Sequence, residues 1–465
     1  MSQEQKKRSS FSGTFGFVMA AAGSAVGLGN IWRFPYLAAK NGGGVFLVVY
    51  LIMVVTFGFT LLTTEVAIGR KTKQGPLTAY GVVHPRFGFN GVLAWLVPAI
   101  ILPYYCTIGG WVLKYLAAFA LEGSAAPAAD GYFVGYITSQ WAPIIGGFIF
   151  FAATAFIVFA GVEKGIEKCS KILMPILLVL IVGISVFSLT LNYTDAAGVT
   201  RTGLQGLAVY VVPDFSGMTL KGFFQLLMDA VGQLFYSISV AMGIMITYGS
   251  YVPDDANLMK SINQIEFFDT LVACLAGLMI IPAVFVFMGM DGMAAGPGLM
   301  FVSLPKVFNA MGGIGRAIGL LFFVMVTFAA LTSSVSVMEA IVAGAMDKWH
   351  LSRKRSTILV SVYAFVMGAV VCLGYNVLYF DLKLPNGSVG QILDVMDYVS
   401  NNVMMAVVAI VTCVLVGWVV KPKLVVDEIE KTGARFSRKA LYTVMIRFIV
   451  PALLIILLLQ SFIRF

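Results

Sequence analysis

The chain has 465 residues, of which 59% are apolar and 11% charged, with a formal net charge of +9. A mean hydropathy of +0.92 excludes an ordinary soluble protein and overrides the prior of about 150 residues per domain; the chain reads as one that crosses a bilayer many times. The positive balance does not point to nucleic acid, because the basic residues sit in short connections between apolar runs, where they set orientation.

Residues 1–13 read as a polar cytoplasmic N-terminal segment. The apolar run that follows has no small-residue cleavage site and is expected to be retained. Stretches long enough to span fall near 14–36, 43–69, 91–121, 144–162, 171–191, 222–248, 263–289, 316–345, 357–379, 391–420 and 440–462, which makes eleven. Arg70, Lys71, Lys73 and Arg86 follow the second, Arg353, Lys354 and Arg355 the eighth, and Lys421 and Lys423 the tenth. The connection from Glu122 to Pro143 has neither Lys nor Arg. The basic loops therefore share one side and put the N-terminus in the cytoplasm; an odd count leaves the C-terminus, at Phe465, outside. The expected home is the plasma membrane.

The first span is built to break. Residues 23–36 read GSAVGLGNIWRFPY, with glycines, an amide, an arginine and a proline at membrane depth. Non-helical backbone survives there only against protein, water or a ligand. The sixth span repeats the anomaly in GQLFYSISVAMG at 232–243. Five spans separate the two breaks, and an odd number inserts the second unit in the opposite sense. The chain thus divides into a first five-span repeat (14–191), an extracellular loop (192–221), a second five-span repeat (222–420), a cytoplasmic loop (421–439) and an eleventh span (440–465). In an inverted repeat of this kind the site lies at the repeat interface.

The five cysteines lack the spacing of a zinc site or disulfide framework, and His84 and His350 lie in basic loops. With no nucleophile beside a base and no phosphate loop, an enzyme is the least favoured class.

GSAVGLGNIWRFPY, NGGG at 41–44, GQLFYSIS at 232–239 and FAALTSS at 328–334, in this order, resemble the neurotransmitter:sodium symporter family from about Arg8 to the end of the tenth span. The resemblance implies an all-α polytopic membrane protein of the LeuT fold, taking up a hydrophobic L-amino acid with sodium. It implies two sodium sites. The first draws on Ala25 (carbonyl), Asn30, Ser237, Asp269 and the substrate carboxylate; the second draws on carbonyls of Gly23, Val26 and Ala329 and the hydroxyls of Thr332 and Ser333. The substrate carboxylate would also meet amides near Leu28 and Gly29, at a half-helix N-terminus, and the Tyr105 hydroxyl. Its ammonium would meet carbonyls near Ala25, Tyr236 and Ser239, and its side chain Ile101, Tyr236, Met242, Ser333 and Val337.

Family members with an amide at position 269 and a serine four residues on use chloride to supply the missing charge. Asp269 and Ala273 here imply chloride independence. Arg33 and Asp397 would gate the outer side; Arg8 and Asp347 would gate the cytoplasmic side, with Phe11, Glu65, Tyr251 and Glu339 nearby. Phe11 stands where tryptophan is usual. Gly165 and Pro175 match a pattern that lets the fifth span unwind.

Plainer readings stand beside these. Gly23 and Gly27 also form a small-residue packing motif, Thr332 and Ser333 could bond back to their own helix, Tyr105 could be core, and Glu65, Glu339 and Asp347 could form a static network. A carrier for a betaine or other amine and a non-transporting amino-acid receptor are the alternative functions. Oligomeric state is not readable from sequence.

Overall fold

A computed structural model describes residues 10–195, 197–216, 218–293 and 296–463. Arg8 and Phe465 lie outside the described residues. The first expected span is two helices, α1 (Thr14–Ala25) and α2 (Gly29–Lys40), bent by 53° at their junction. Nine further helices among the described residues are long and apolar enough to cross a membrane, and the bent pair makes a tenth span. In chain order these include α3 (Gly44–Thr72), α4 (Pro85–Leu121), α5 (Ala142–Ala160) and α6 (Val162–Leu189). The sixth expected span follows as α7 (Leu220–Ser237) and α8 (Ile244–Ser250), with 238–243 in no helix. Then come α9 (Leu258–Met288), α10 (Gly312–Trp349), α11 (Arg353–Leu373), α12 (Ile392–Val419) and α13 (Lys439–Gln460). By length and apolarity the described residues give nine spans, or ten with the bent pair, against the eleven expected; the α7–α8 pair stands where the remaining one was expected.

Both breaks have local causes. After Ala25 the backbone turns at Val26, with ψ of 89°, and Gly27 continues the interruption. A Cβ on Gly27 would sit 3.0 Å from Ser333 Oγ and 3.3 Å from the Tyr105 hydroxyl, so the glycine permits close approach of α4 and α10. In the sixth span Ser239, Ala241 and Gly243 have φ of 55°, 61° and 70°. Alternate left-handed residues cannot propagate a right-handed helix.

The halves are held by tight crossings. A Cβ on Gly69 of α3 would strike the Ile246 carbonyl of α8, and one on Gly249 would strike that of Val66. Small residues at such contacts let helix backbones approach closely in a membrane. Outside the spans the chain adds little sheet: Asn192–Thr194 pairs antiparallel with Thr200–Thr202, and Leu382–Lys383 with Val389–Gly390.

The fifth span is helical from Val162 to Leu189, through Pro175, with a π-turn at Val162–Glu167. The unwinding expected between Gly165 and Pro175 is therefore absent from this conformation. Glu167 there accepts a hydrogen bond from the Ser12 amide at 2.8 Å and an ion pair from Lys171 at 2.6 Å, tying the segment before α1 to α6.

Candidate functional site

A cavity with about 420 Å³ of atom-free space lies where the two breaks meet α4 and α10. All ten residues expected around the substrate line it: Ala25, Leu28, Gly29, Ile101, Tyr105, Tyr236, Ser239, Met242, Ser333 and Val337. Ser24, Gly27 and Ile244 line it as well; they belong to the same broken segments, and Ser24 and Gly27 lie inside the 23–36 motif.

Hydrogen bonds join the broken spans across this cavity. The Asn30 amide donates to Ser237 Oγ and to Asp269 Oδ1, both at 2.9 Å, and Ser237 Oγ donates to Asp269 Oδ1 at 2.6 Å. The Gln233 amide reaches the Gly29 carbonyl at 3.2 Å, and Ser239 Oγ reaches the Ser24 carbonyl at 3.1 Å. Asn30, Ser237 and Asp269, three of the four residues expected at the first sodium, thus form one buried cluster; the fourth, Ala25, lines the adjoining cavity. Asp269 Oδ2 has no hydrogen-bond partner. A buried polar atom without a partner costs about 1 to 3 kcal/mol, and more if charged, so this oxygen calls for a cation or a donor. The buried Tyr50 hydroxyl lies against Ser237 and beside Asp269. Sequence reasoning missed it, since nothing in the apolar run around Tyr50 marks the direction of its side chain.

The second expected sodium set divides. Ser333 Oγ lies 3.0 Å from the Ser24 carbonyl, 3.3 Å from that of Val26 and 3.5 Å from that of Gly23, so it sits among carbonyls freed by the first break. Thr332 Oγ instead bonds its own helix, at Phe328 O (3.0 Å) and Ala329 O (3.1 Å). The oxygens are gathered, with the Thr332 hydroxyl held in the back-bonded arrangement. Tyr105 lines the cavity with a buried hydroxyl beside Ser333 and the Leu28 backbone. Its neighbour Tyr104 points elsewhere, donating to Asp397 at 3.1 Å.

Two of the gate groups take a different arrangement here from the one expected. Arg33 and Asp397 do not form a direct ion pair: Asp397 is occupied by Tyr104 and by Asn401, 2.6 Å away, and the Arg33 guanidinium lies over the Tyr236 ring, 5.9 Å from its centroid. Arg33, Tyr236 and Asn401 line a polar vestibule above the cavity. On the basic-loop side, Glu65 does not join the cluster expected there. Its Oε1 accepts the Ala241 amide at 2.6 Å and so holds the broken segment of the sixth span.

The rest of that cluster is present in altered form. Phe11 is buried, packs edge-on against Tyr248 and Tyr251 at 5.7 and 6.1 Å, and donates its amide to the Tyr251 carbonyl. The Tyr251 hydroxyl donates to Glu339 at 2.5 Å, and Glu339 is clamped at 2.7 and 2.8 Å by Arg353, a residue that sequence reading assigned only to orientation. Asp347 accepts the Gly75 amide at 2.5 Å. Its expected partner Arg8 lies outside the described residues.

Comparison with known proteins agrees with this architecture. The family described as the sodium:neurotransmitter symporter family matches residues 8–123 and 143–465. An uncharacterized sodium-dependent transporter of Bacillus subtilis, YhdH, is 33% identical over 98% of both chains. The human sodium- and chloride-dependent GABA transporter 2 is 25% identical, over 89% of this chain and 73% of its own. The crystal structure of MhsT in complex with L-phenylalanine superimposes with a TM-score of 0.84 at 33% identity, covering 98% of this chain and 100% of that one.

Proposed function

Because the chain belongs to the sodium:neurotransmitter symporter family, an integral membrane family of sodium-dependent transporters rather than enzymes, we propose that it takes up a hydrophobic L-amino acid into the cytoplasm by alternating access, with two sodium ions per substrate and no chloride. The observation that carries this reading is the cavity at the crossing of the breaks, where the buried Asp269 Oδ2 has no hydrogen-bond partner among the described residues and the buried Tyr105 hydroxyl stands beside Ser333 in the cavity wall. One needs a cation and the other suits a carboxylate. An amino acid with sodium beside it supplies both.

The first ion takes the Ala25 carbonyl, Asn30, Ser237 and Asp269, and shares the substrate carboxylate. The second takes carbonyls of Gly23, Val26 and Ala329 with Thr332 and Ser333, once the Thr332 hydroxyl swings from its own helix. Asp269 supplies within the protein the negative charge that chloride would otherwise bring. The substrate carboxylate faces the half-helix start at Leu28 and Gly29, where backbone N–H groups and the helix dipole favour an anion. Ile101, Met242, Ile244 and Val337 give the side-chain end an apolar lining, and methionine adapts its shape to what it meets. Phenylalanine, bound in the MhsT structure, falls in this class. Sodium and substrate complete one another's coordination, so together they favour closure. The basic loops support a cytoplasmic N-terminus, and an odd number of spans then puts the C-terminus outside.

A thermal-shift screen of the twenty amino acids on the purified protein, in sodium and in potassium, tests this reading. Apolar amino acids are expected to raise the melting temperature in sodium alone, and a carboxyl-blocked analogue is expected to fail. Equal shifts in potassium, or stabilisation by the blocked analogue, would refute the assignment.

A further inference from the structure

A second concavity is unrelated to the central site. It is a groove with about 680 Å³ of atom-free space between α4, α10 and α11, lined by Trp95, Ala345, Trp349, Leu359 and Val360 and by the hydroxyls of Ser356 and Tyr363, of which Tyr363 donates to the Ala99 carbonyl at 3.0 Å. Trp95 closes one wall, with its indole N–H on the Ile341 carbonyl at 2.9 Å and its ring edge-on to Trp349 at 5.7 Å. Ser356 is 0% exposed, and its hydroxyl has no hydrogen-bond partner among the described residues. A helical serine ordinarily bonds a carbonyl one turn back, and leaving it unmade inside protein costs about 1 to 3 kcal/mol. The groove therefore holds one unmet polar demand in an otherwise apolar wall.

The groove ends at a cationic mouth. Lys348 lies one turn beyond Ala345 on α10, and Arg355 lies one turn before Leu359 on α11, which puts each charge on the helix face that lines the groove. Both are exposed, and neither forms an ion pair among the described residues. Trp349 beside Lys348 is 53% exposed, as suits a ring at the interfacial level of a bilayer. The two charges thus stand at the end of the groove where α10 closes at Trp349 and α11 begins at Arg353.

We propose that this groove is a site for an anionic glycerophospholipid of the membrane leaflet that faces the basic loops. An acyl chain fills the slot, an ester or glycerol oxygen accepts from Ser356, and the phosphate lies between Lys348 and Arg355. Basic pockets between membrane helices recognise lipid head groups in this way. Each Lys or Arg near the surface is worth about fivefold, so the pair gives an anionic over a zwitterionic lipid a preference of roughly 25-fold.

The test is native mass spectrometry and thermal shift of the purified full chain, titrated with phosphatidylglycerol and, in parallel, with phosphatidylcholine of the same acyl chains. One phosphatidylglycerol is expected to bind with the stated preference. K348Q/R355Q is expected to erase the preference while keeping sodium-dependent amino-acid binding, and L359W, which fills the slot from its exposed side, is expected to lower retention of both lipids. Inorganic phosphate is expected to give no shift. Equal binding of the two lipids, a preference that survives K348Q/R355Q, an equal effect of phosphate, or a lipid-free dimer lost in L359W would each overturn the proposal. The charge variant changes exposed side chains only, so the conclusion does not depend on L359W folding.

Discussion

Tyr105 and Asp269 show how a single buried polar atom carries functional information. Removing the Tyr105 hydroxyl costs the protein little, because its neighbours are Ser333 and the Leu28 backbone and Ser333 keeps its bonds to the carbonyls of the first break. Tyr105→Phe is therefore expected to leave the melting temperature of the substrate-free protein unchanged. A hydrogen bond to a charged group is worth about 1.5 to 3 kcal/mol, so substrate affinity is expected to fall by roughly tenfold or more. Calorimetric titration in sodium checks it, and equal affinity would contradict the carboxylate contact. Asp269→Asn keeps the shape of the cluster with Asn30 and Ser237 but removes its charge. The expected outcome is a sodium requirement raised by about tenfold, equivalent to about 1.4 kcal/mol, or relieved by added chloride. Sodium dependence unchanged in chloride-free buffer would remove Asp269 from the first ion's shell. Tyr105 and Asp269 were both reached through the family resemblance at their positions, Asp269 with the added signal that a carboxylate is expensive inside a span. Tyr50 was not, since tyrosine fits a bilayer core without any functional reason.

At the scale of elements, the breaks were legible and their supports were not. Glycines 27 and 29, Asn30 and Pro35 mark the first interruption in any reading of the chain, and Gly232, Ser237, Ser239 and Gly243 mark the second. That Glu65, 176 residues before Ala241 along the chain, would hold the second one through its amide depends on how α3 crosses α8, which no local pattern encodes. The same holds for Arg353 on Glu339, where the arginine read as one more basic loop residue. It also holds for Arg33, which turned to the Tyr236 ring rather than to Asp397 once Tyr104 and Asn401 had taken that carboxylate.

The sixth-span break makes its own testable statement. Ala241 sits at φ 61°, a left-handed position that costs a residue with a Cβ roughly 1 to 2 kcal/mol. In a helix Ala→Gly destabilises by about 0.5 to 1 kcal/mol, whereas relief of the left-handed strain offsets that loss here. Ala241→Gly is expected to keep or raise the melting temperature of the substrate-free protein in detergent. A clear fall would mean that the segment is helical in solution.

For the whole molecule, the proposed charge count sets the work available. On the proposed stoichiometry, two sodium ions with a zwitterionic substrate would carry two net charges inward while the negative partner, Asp269, stays in the protein. Each charge is worth about 2.3 kcal/mol per 100 mV, so a membrane potential of that size supplies about 4.6 kcal/mol. That sustains roughly a thousandfold accumulation before any sodium gradient is counted. In proteoliposomes with equal sodium on both sides and no chloride, a potassium-diffusion potential, negative inside, is therefore expected to drive accumulation of a hydrophobic amino acid, and collapsing it is expected to release the solute. One sodium per substrate would halve the electrical term, so the logarithm of the accumulation ratio, plotted against imposed potential, reads the stoichiometry directly. A slope of one charge would remove the second ion, while a slope of zero would mean that another charge returns with each cycle and that Asp269 does not act alone in place of chloride.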